Sequence, residues 1–116
     1  MIPLQSEPEL KMKESGCTLL LWVCEPFDEQ YSFRTLFAKI AAVLKENADF
    51  ALSLPPEEPA EDFVHGVLRW RSTAYAVYFE RSLGYVELSN VSLSSGRELL
   101  DALTPEFTWP RATAGQ

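Results

Sequence analysis

The chain has one histidine, His65, and two cysteines, Cys17 and Cys24, so few side chains are available for acid–base, nucleophilic or transition-metal chemistry. A serine nucleophile needs a general base within hydrogen-bond reach, and no serine here lies in a nucleophile-elbow sequence. A zinc site needs three or four Cys or His ligands, and these three residues have unrelated spacings. The sequence therefore predicts neither a serine hydrolase nor a transition-metal site.

Acidic side chains are concentrated in the stretch PPEEPAED, which contains Glu57, Glu58, Glu61 and Asp62. Carboxylates can bind calcium or magnesium, but an EF-hand loop alternates its ligands around a central glycine and this stretch does not. Its three prolines and its charge predict a stiff, exposed, negatively charged loop. No glycine-rich entry for a phosphate precedes either predicted helix. We therefore expect no cofactor and no catalysis, and a function in binding.

The overall charge is negative: 17 acidic residues outnumber 10 basic ones, for a formal charge of −7. A second acidic stretch holds Glu25, Asp28 and Glu29. This balance repels nucleic acid and anionic lipid and favours a basic partner. The first residues lack the basic start and apolar run of a signal peptide, and no apolar run approaches the roughly 20 residues of a membrane span. Two isolated cysteines are typical of buried free thiols, so we expect a cytoplasmic protein.

The apolar pattern predicts one α+β domain at 16–110, after a flexible leader at 1–15 and before a disordered tail at 111–116. The alternative for the leader is an edge segment placed by Ile2 and Leu4. The segment CTLLLWVC, at 17–24, is apolar at successive positions rather than alternate ones. This is typical of a central strand in a covered sheet.

Two helices are predicted. The longer begins after Ser32 as N-cap, carries one apolar stripe and ends near Asn47. The shorter begins with a capping box formed by Ser95 and Glu98, and Pro105 ends it.

Four more strands are predicted, a short one at 50–54 and an antiparallel meander at 63–71, 73–80 and 84–92. The fold class is therefore α+β, with a mainly antiparallel sheet of about five strands. The long amphipathic helix lies on one face of the sheet, and the short helix is C-terminal. In the meander, alternation separates a core face from a second face that is solvated or contacts a partner.

A small acidic chain of this element order, whose final short helix leads into LLDALTPEFTW, resembles the immunity proteins that neutralise bacterial polymorphic or contact-dependent toxins. The resemblance covers about residues 17–110 and is one of size, charge and architecture. It implies a one-to-one complex with a basic toxin domain, which an acidic surface of this chain blocks. The hypothesis selects partner-binding residues from the two acidic stretches and two aromatic anchors: Glu57, Glu58, Glu61, Asp62, Asp28, Glu29, Trp70 and Tyr78.

Two alternatives stay open at this stage. In the first, the chain is an oligomeric accessory or ligand-sensing subunit whose central strand packs its apolar second face against a second copy, as a homodimer. In the second, the chain is an enzyme of unrecognised type, which would show a deep pocket lined by acids of perturbed pKa.

Overall fold

The structure, a computed structural model, describes residues 2–14, 16–23, 33–46, 49–58, 61–90 and 92–110. The candidate residues Asp28 and Glu29, the predicted cap Ser32 and the predicted tail at 111–116 lie outside these ranges.

The described residues form eight strands and two α-helices. In chain order these are β1 (Ile2–Pro3), β2 (Glu9–Lys13), β3 (Gly16–Trp22), α1 (Phe33–Lys45), β4 (Phe50–Ser53), β5 (Phe63–Trp70), β6 (Thr73–Glu80), β7 (Tyr85–Asn90), α2 (Leu93–Leu103) and β8 (Phe107–Thr108). Neither helix is long and apolar enough to cross a membrane.

Six strands form one antiparallel sheet in the order β2-β3-β7-β6-β5-β4, and β1 pairs in parallel with β8 beside it. The predicted α+β class, the long helix, the short strand after it and the three-stranded meander are confirmed. The predicted central strand, β3, lies between β2 and β7.

The sheet has one strand more than predicted because the segment expected to be a flexible leader is structured. Strand β2 pairs along its whole length with β3, and it places Leu10 against the core. Ile2 and Leu4 are buried, and Leu4 bridges to Val23. The prediction was wrong because the alternation in ELKMK is short and mostly charged, which is typical of an edge strand but resembles a solvated segment.

Both helices pack on one face of the sheet, here called the core face. Helix α1 buries an apolar stripe there, and the ring of Phe33 stacks on Phe79 with the centroids 4.3 Å apart. Helix α2 approaches β3 closely at Gly96, where a Cβ would overlap the Sγ of Cys17. Phe107, in the short strand β8, is buried.

Helix α2 begins earlier than predicted. Its N-cap is Ser92, whose hydroxyl accepts a hydrogen bond from the backbone N–H of Ser95 at 3.3 Å. Ser92 is itself held by its backbone N–H, which donates to the side chain of Asn90 at 2.7 Å. The predicted capping box is therefore wrong, and Glu98 instead accepts a hydrogen bond from Arg71 at 2.7 Å.

Candidate partner-binding surface

The second face of the sheet is covered by neither helix and is here called the open face. It carries Thr18, Leu20 and Trp22 of β3, together with the side chains paired with them on the neighbouring strands. Because the strands are in register, these side chains form four rows across the sheet. Two rows form one end of the face and two form the other.

The two ends differ in chemistry. The first, here called the acidic end, consists of Trp22, Tyr85, Glu80 and Phe63 in one row and Glu9, Leu20, Glu87, Tyr78 and His65 in the next. The second, here called the basic end, consists of Lys11, Thr18, Ser89, Ala76 and Val67 and then Lys13, Gly16, Ala74 and Arg69.

Rings meet across the strands at the acidic end. Trp22 and Tyr85 are edge to face, with centroids 4.8 Å apart. His65 contacts Tyr78 at 4.6 Å and Phe63 at 5.9 Å, also edge to face. Phe63 is 61% exposed, which is unusual for so large an apolar side chain. The acidic end therefore presents an aromatic surface spread over four strands.

Carboxylates hold these rings in place. Glu9 accepts a hydrogen bond from the indole N–H of Trp22 at 2.7 Å. Glu80 accepts one from the hydroxyl of Tyr78 at 3.2 Å. Burial among its neighbours raises the pKa of Tyr78, and the hydrogen bond to Glu80 and the charges of Glu80 and Glu87 raise it further. Aromatic faces beside carboxylates bind guanidinium and ammonium groups, through cation–π contacts and charge-assisted hydrogen bonds.

The acidic loop adjoins this end of the face. The carbonyl of Asp62 accepts a hydrogen bond from the N–H of Arg81 at 2.7 Å, which places the end of the loop beside the residue after Glu80. Glu57, Glu58 and Asp62 are exposed, as predicted. The end of the predicted acidic loop, at Asp62, therefore lies beside the acidic end.

Glu61 is an exception among the predicted loop carboxylates. It accepts hydrogen bonds from the Nε and Nη2 of Arg34 at 3.0 and 2.9 Å, and only 10% of its side chain is exposed. Arg34 also donates to the carbonyl of Pro55 at 2.9 Å. The hydrogen bond to Arg34 lowers the pKa of Glu61 and raises that of Arg34. Glu61 therefore ties the loop to α1 and is not available as an unpaired contact residue.

The two predicted aromatic anchors, Tyr78 and Trp70, lie on opposite faces of the sheet. Tyr78 lies on the open face and is partly exposed. Trp70 is 1% exposed on the core face, paired with Phe50 of β4, so the expectation that it anchors a partner is wrong. The alternation that puts Trp70 with Val64 and Leu68 already placed it towards the core. The tryptophan that lies on the open face is Trp22. It directly follows the buried Leu21 in β3, and because neighbouring residues of a strand point to opposite faces, this position indicates the open face.

The basic end is a shallow depression rather than a raised surface. Small side chains, those of Thr18, Ala74, Ala76 and Ser89, line a concavity of about 540 Å³. The hydroxyls of Thr18 and Ser89 are 3.0 Å apart and hydrogen-bonded. Lys13 stands at its edge. This end therefore offers space and positive charge where the acidic end offers bulk and negative charge.

Two of the open-face side chains of β3, Thr18 and Leu20, are already buried within the single chain. Thr18 and Leu20 are 1% and 5% exposed although neither helix covers them. Their cross-strand neighbours on β2 and β7 are charged or polar side chains, Lys11 and Ser89 for Thr18 and Glu9 and Glu87 for Leu20. Long neighbouring side chains therefore cover Leu20, and the expected packing of this face against a second copy stays a prediction.

Cys17 is a buried free thiol whose Sγ donates to the carbonyl of Ser92 at 3.3 Å. Within the part of the chain that the structure describes, no three His, Cys, Asp or Glu side chains are grouped so as to hold a metal ion.

Fold and surface together define an acidic α+β domain with an aromatic sheet face that neither helix covers. Comparison of the chain with protein-family models, with curated proteins and with solved structures finds no match.

Proposed function

We propose that this chain is a protein-binding domain that holds a basic protein on its acidic end and blocks that protein's active face, as a toxin-immunity protein does. One observation carries the proposal: rings alternate with carboxylates on a sheet face that no described element covers. Asp62, at the end of the adjoining loop, adds an exposed carboxylate beside it, and Glu57 and Glu58 of the same loop are also exposed.

An arginine or lysine of the partner meets two complementary groups on this surface. A cation over an aromatic face is worth about 0.5–1 kcal/mol when exposed and about 2 kcal/mol when desolvated. The carboxylates Glu9, Glu80 and Glu87 lie close enough to the rings to accept its hydrogen bonds. Aromatic residues of this kind supply most of the binding energy in protein interfaces, while the surrounding charge accelerates encounter.

Charge and cysteine content also support the proposed class of partner and the proposed cellular compartment. Negative charge at the acidic end opposes a nucleic-acid phosphate and favours a protein surface rich in Arg or Lys. The free buried thiol of Cys17 supports the proposal of a reducing, cytoplasmic compartment.

The first experiment identifies the partner and tests charge. The chain is co-expressed with the products of its neighbouring open reading frames, and the protein retained on it is purified. Association is then followed by stopped flow between 0.05 and 0.5 M NaCl, because an electrostatic encounter slows as salt rises. The variant Glu87→Lys should slow association about tenfold at low salt. Glu46→Lys, which makes the same charge change at an exposed position after α1, is the matched control and should leave the rate nearly unchanged.

The second experiment tests the rings. Trp22→Ala should raise the dissociation constant at least about tenfold, as expected for an interface hot spot. Met12→Ala is the control, since Met12 is 73% exposed and lies on the other face of β2. Association that does not depend on salt, or equal losses in the test and control variants, would refute the proposal.

A further inference from the structure

The two ends of the open face are complementary to each other in charge. Glu9, Glu80 and Glu87 belong to the acidic end, whereas Lys11, Lys13 and Arg69 belong to the basic end. The sheet therefore carries a charge gradient along its strands. A flat surface with opposite charges at its two ends can pair with an identical surface turned end for end.

The two ends are also complementary in shape. The acidic end is raised by rings such as Trp22 and Tyr78, and the basic end is a depression of about 540 Å³ lined by Ala74 and Ala76. Bulk on one half and space on the other are what a self-complementary interface needs, because side chains must interdigitate at the density of a protein interior.

We propose that a second copy of this chain docks on the open face, related to the first by a half turn. The axis runs across the strands between the two sheets, so each strand lies over the same strand of the other copy, in reverse direction. The outer row of the acidic end then covers the outer row of the basic end, and the two inner rows cover each other.

This pairing follows from the register of the rows. Trp22 lies over Gly16 of the other copy, and Tyr78 lies over its Ala76, so each bulky side chain meets a small one. Glu9 lies over Lys11 on the edge strand β2. At the other side of the sheet, Phe63 lies over Arg69, a cation–π arrangement. Each contact occurs twice because the arrangement is symmetric.

The size of the face sets the strength of the pair. Six strands about 4.8 Å apart, each contributing about six residues of about 3.3 Å, give roughly 500 Å² per copy. The pair then buries roughly 1,000 Å² in total, at the lower end for specific interfaces. We therefore expect a reversible dimer with a dissociation constant on the order of 10–100 µM.

The dimer uses the same acidic end as the proposed partner, so the two complexes exclude each other. The inference concerns the same face as the proposed function, but it is tested without any partner. If the chain does not dimerise, the proposed binding of a basic protein is unaffected. If no such protein is found, the proposed dimer is unaffected.

The decisive experiment reverses charge at each end and then mixes the products. Sedimentation equilibrium is measured for the wild type, for Glu9→Lys/Glu87→Lys and for Lys11→Glu/Arg69→Glu, all in 0.05 M NaCl. The first variant has two basic ends and the second has two acidic ends, so each alone should be a monomer. An equimolar mixture should form a heterodimer, because positions 9 and 11 of the two copies then carry opposite charges at both of their contacts. Salt at 0.5 M should raise the wild-type dissociation constant about tenfold.

A steric variant tests the depression independently of charge. Ala76→Trp fills the depression at an exposed position and should abolish the dimer while circular dichroism remains that of the folded chain. Ala42→Trp, at an exposed position of α1, is the matched control and should leave the dimer intact. A wild type that stays monomeric at about 1 mM, or a charge-reversed mixture that does not associate, overturns the inference. A dimer that persists with Ala76→Trp also overturns it, since the contact then lies elsewhere.

Discussion

The turn between β5 and β6 stores backbone strain that a single substitution should release. Arg71 and Ser72 form this two-residue turn with φ angles of 52° and 63°. Two successive positive φ values define a type I′ turn, which favours Asn-Gly because a Cβ is crowded in the left-handed region. Arg71 has compensating contacts: its guanidinium lies 4.4 Å from the centre of the Trp70 ring and donates to Glu98. No side-chain contact of Ser72 offsets its strain among the described interactions.

We therefore predict that Ser72→Gly stabilises the protein. The left-handed conformation costs a residue with a Cβ about 1–2 kcal/mol. Glycine loses about 0.5–1 kcal/mol more conformational entropy on folding, so the net gain is about 0.5–1 kcal/mol. For a domain of this size, that gain corresponds to a rise in Tm of about 2–4 °C.

Thermal unfolding followed by circular dichroism measures this difference. Ser82→Gly is the matched control, because Ser82 is an exposed turn serine without a positive φ. Its hydroxyl donates to Glu80 at 3.2 Å, so its replacement should lower the Tm. If Ser72→Gly lowers the Tm as much as Ser82→Gly does, strain at the turn is not the controlling factor and the reasoning fails.

Three further predictions concern a close contact in the core and two groups whose pKa the fold shifts. Gly96→Ala should destabilise the protein by about 2 kcal/mol because the alanine Cβ would overlap the thiol of Cys17. Adding Cys17→Ala should recover most of this loss, as measured by urea unfolding. Losses that simply add in the double variant would contradict the close contact. Burial raises the pKa of Tyr75 to about 12, so stability should fall between pH 10 and 12 as the unfolded tyrosine ionises first. Tyr75→Phe should make that fall smaller, and Tyr78, whose pKa is also raised, should account for part of the remainder; urea unfolding at each pH measures both. Glu61→Gln should lose about 1–2 kcal/mol at pH 7 through the contact with Arg34; because the pKa of Glu61 is lowered in the fold, the difference should hold above pH 5 and shrink as pH falls below its ordinary value of 4.5.

The elements that sequence predicts well are those with long, regular patterns. Helix α1 shows an apolar stripe over three turns, and β5, β6 and β7 alternate over six to eight residues each. The β2 strand escapes prediction because its stability comes from pairing with β3 rather than from its own composition. The start of α2 is misplaced because two serines, Ser92 and Ser95, both suit an N-cap, and only the turn made with Asn90 selects the first.

The candidate surface is less predictable than the fold. Acidic loop residues are visible in sequence, but their partners are not, so the tie between Glu61 and Arg34 appears only in the folded chain. The rows of the open face depend on the pairing of Trp22 with Tyr85, which are far apart along the chain. Register between such distant strands is set by the packing of the core face, and it determines which side chains meet on the other face.

The edges of the sheet explain why association should use its face. Strand β2 exposes an edge that carries Lys11 and Lys13, and lysines at an edge disfavour the addition of another strand. Strand β4 is four residues long and is followed by Pro55 and Pro56, which cannot donate to a ladder. Both edges are thus protected against pairing, while the acidic end keeps Phe63 mostly exposed. A partner or a second copy therefore gains most by covering the open face, where apolar rings and unbalanced charge lie together.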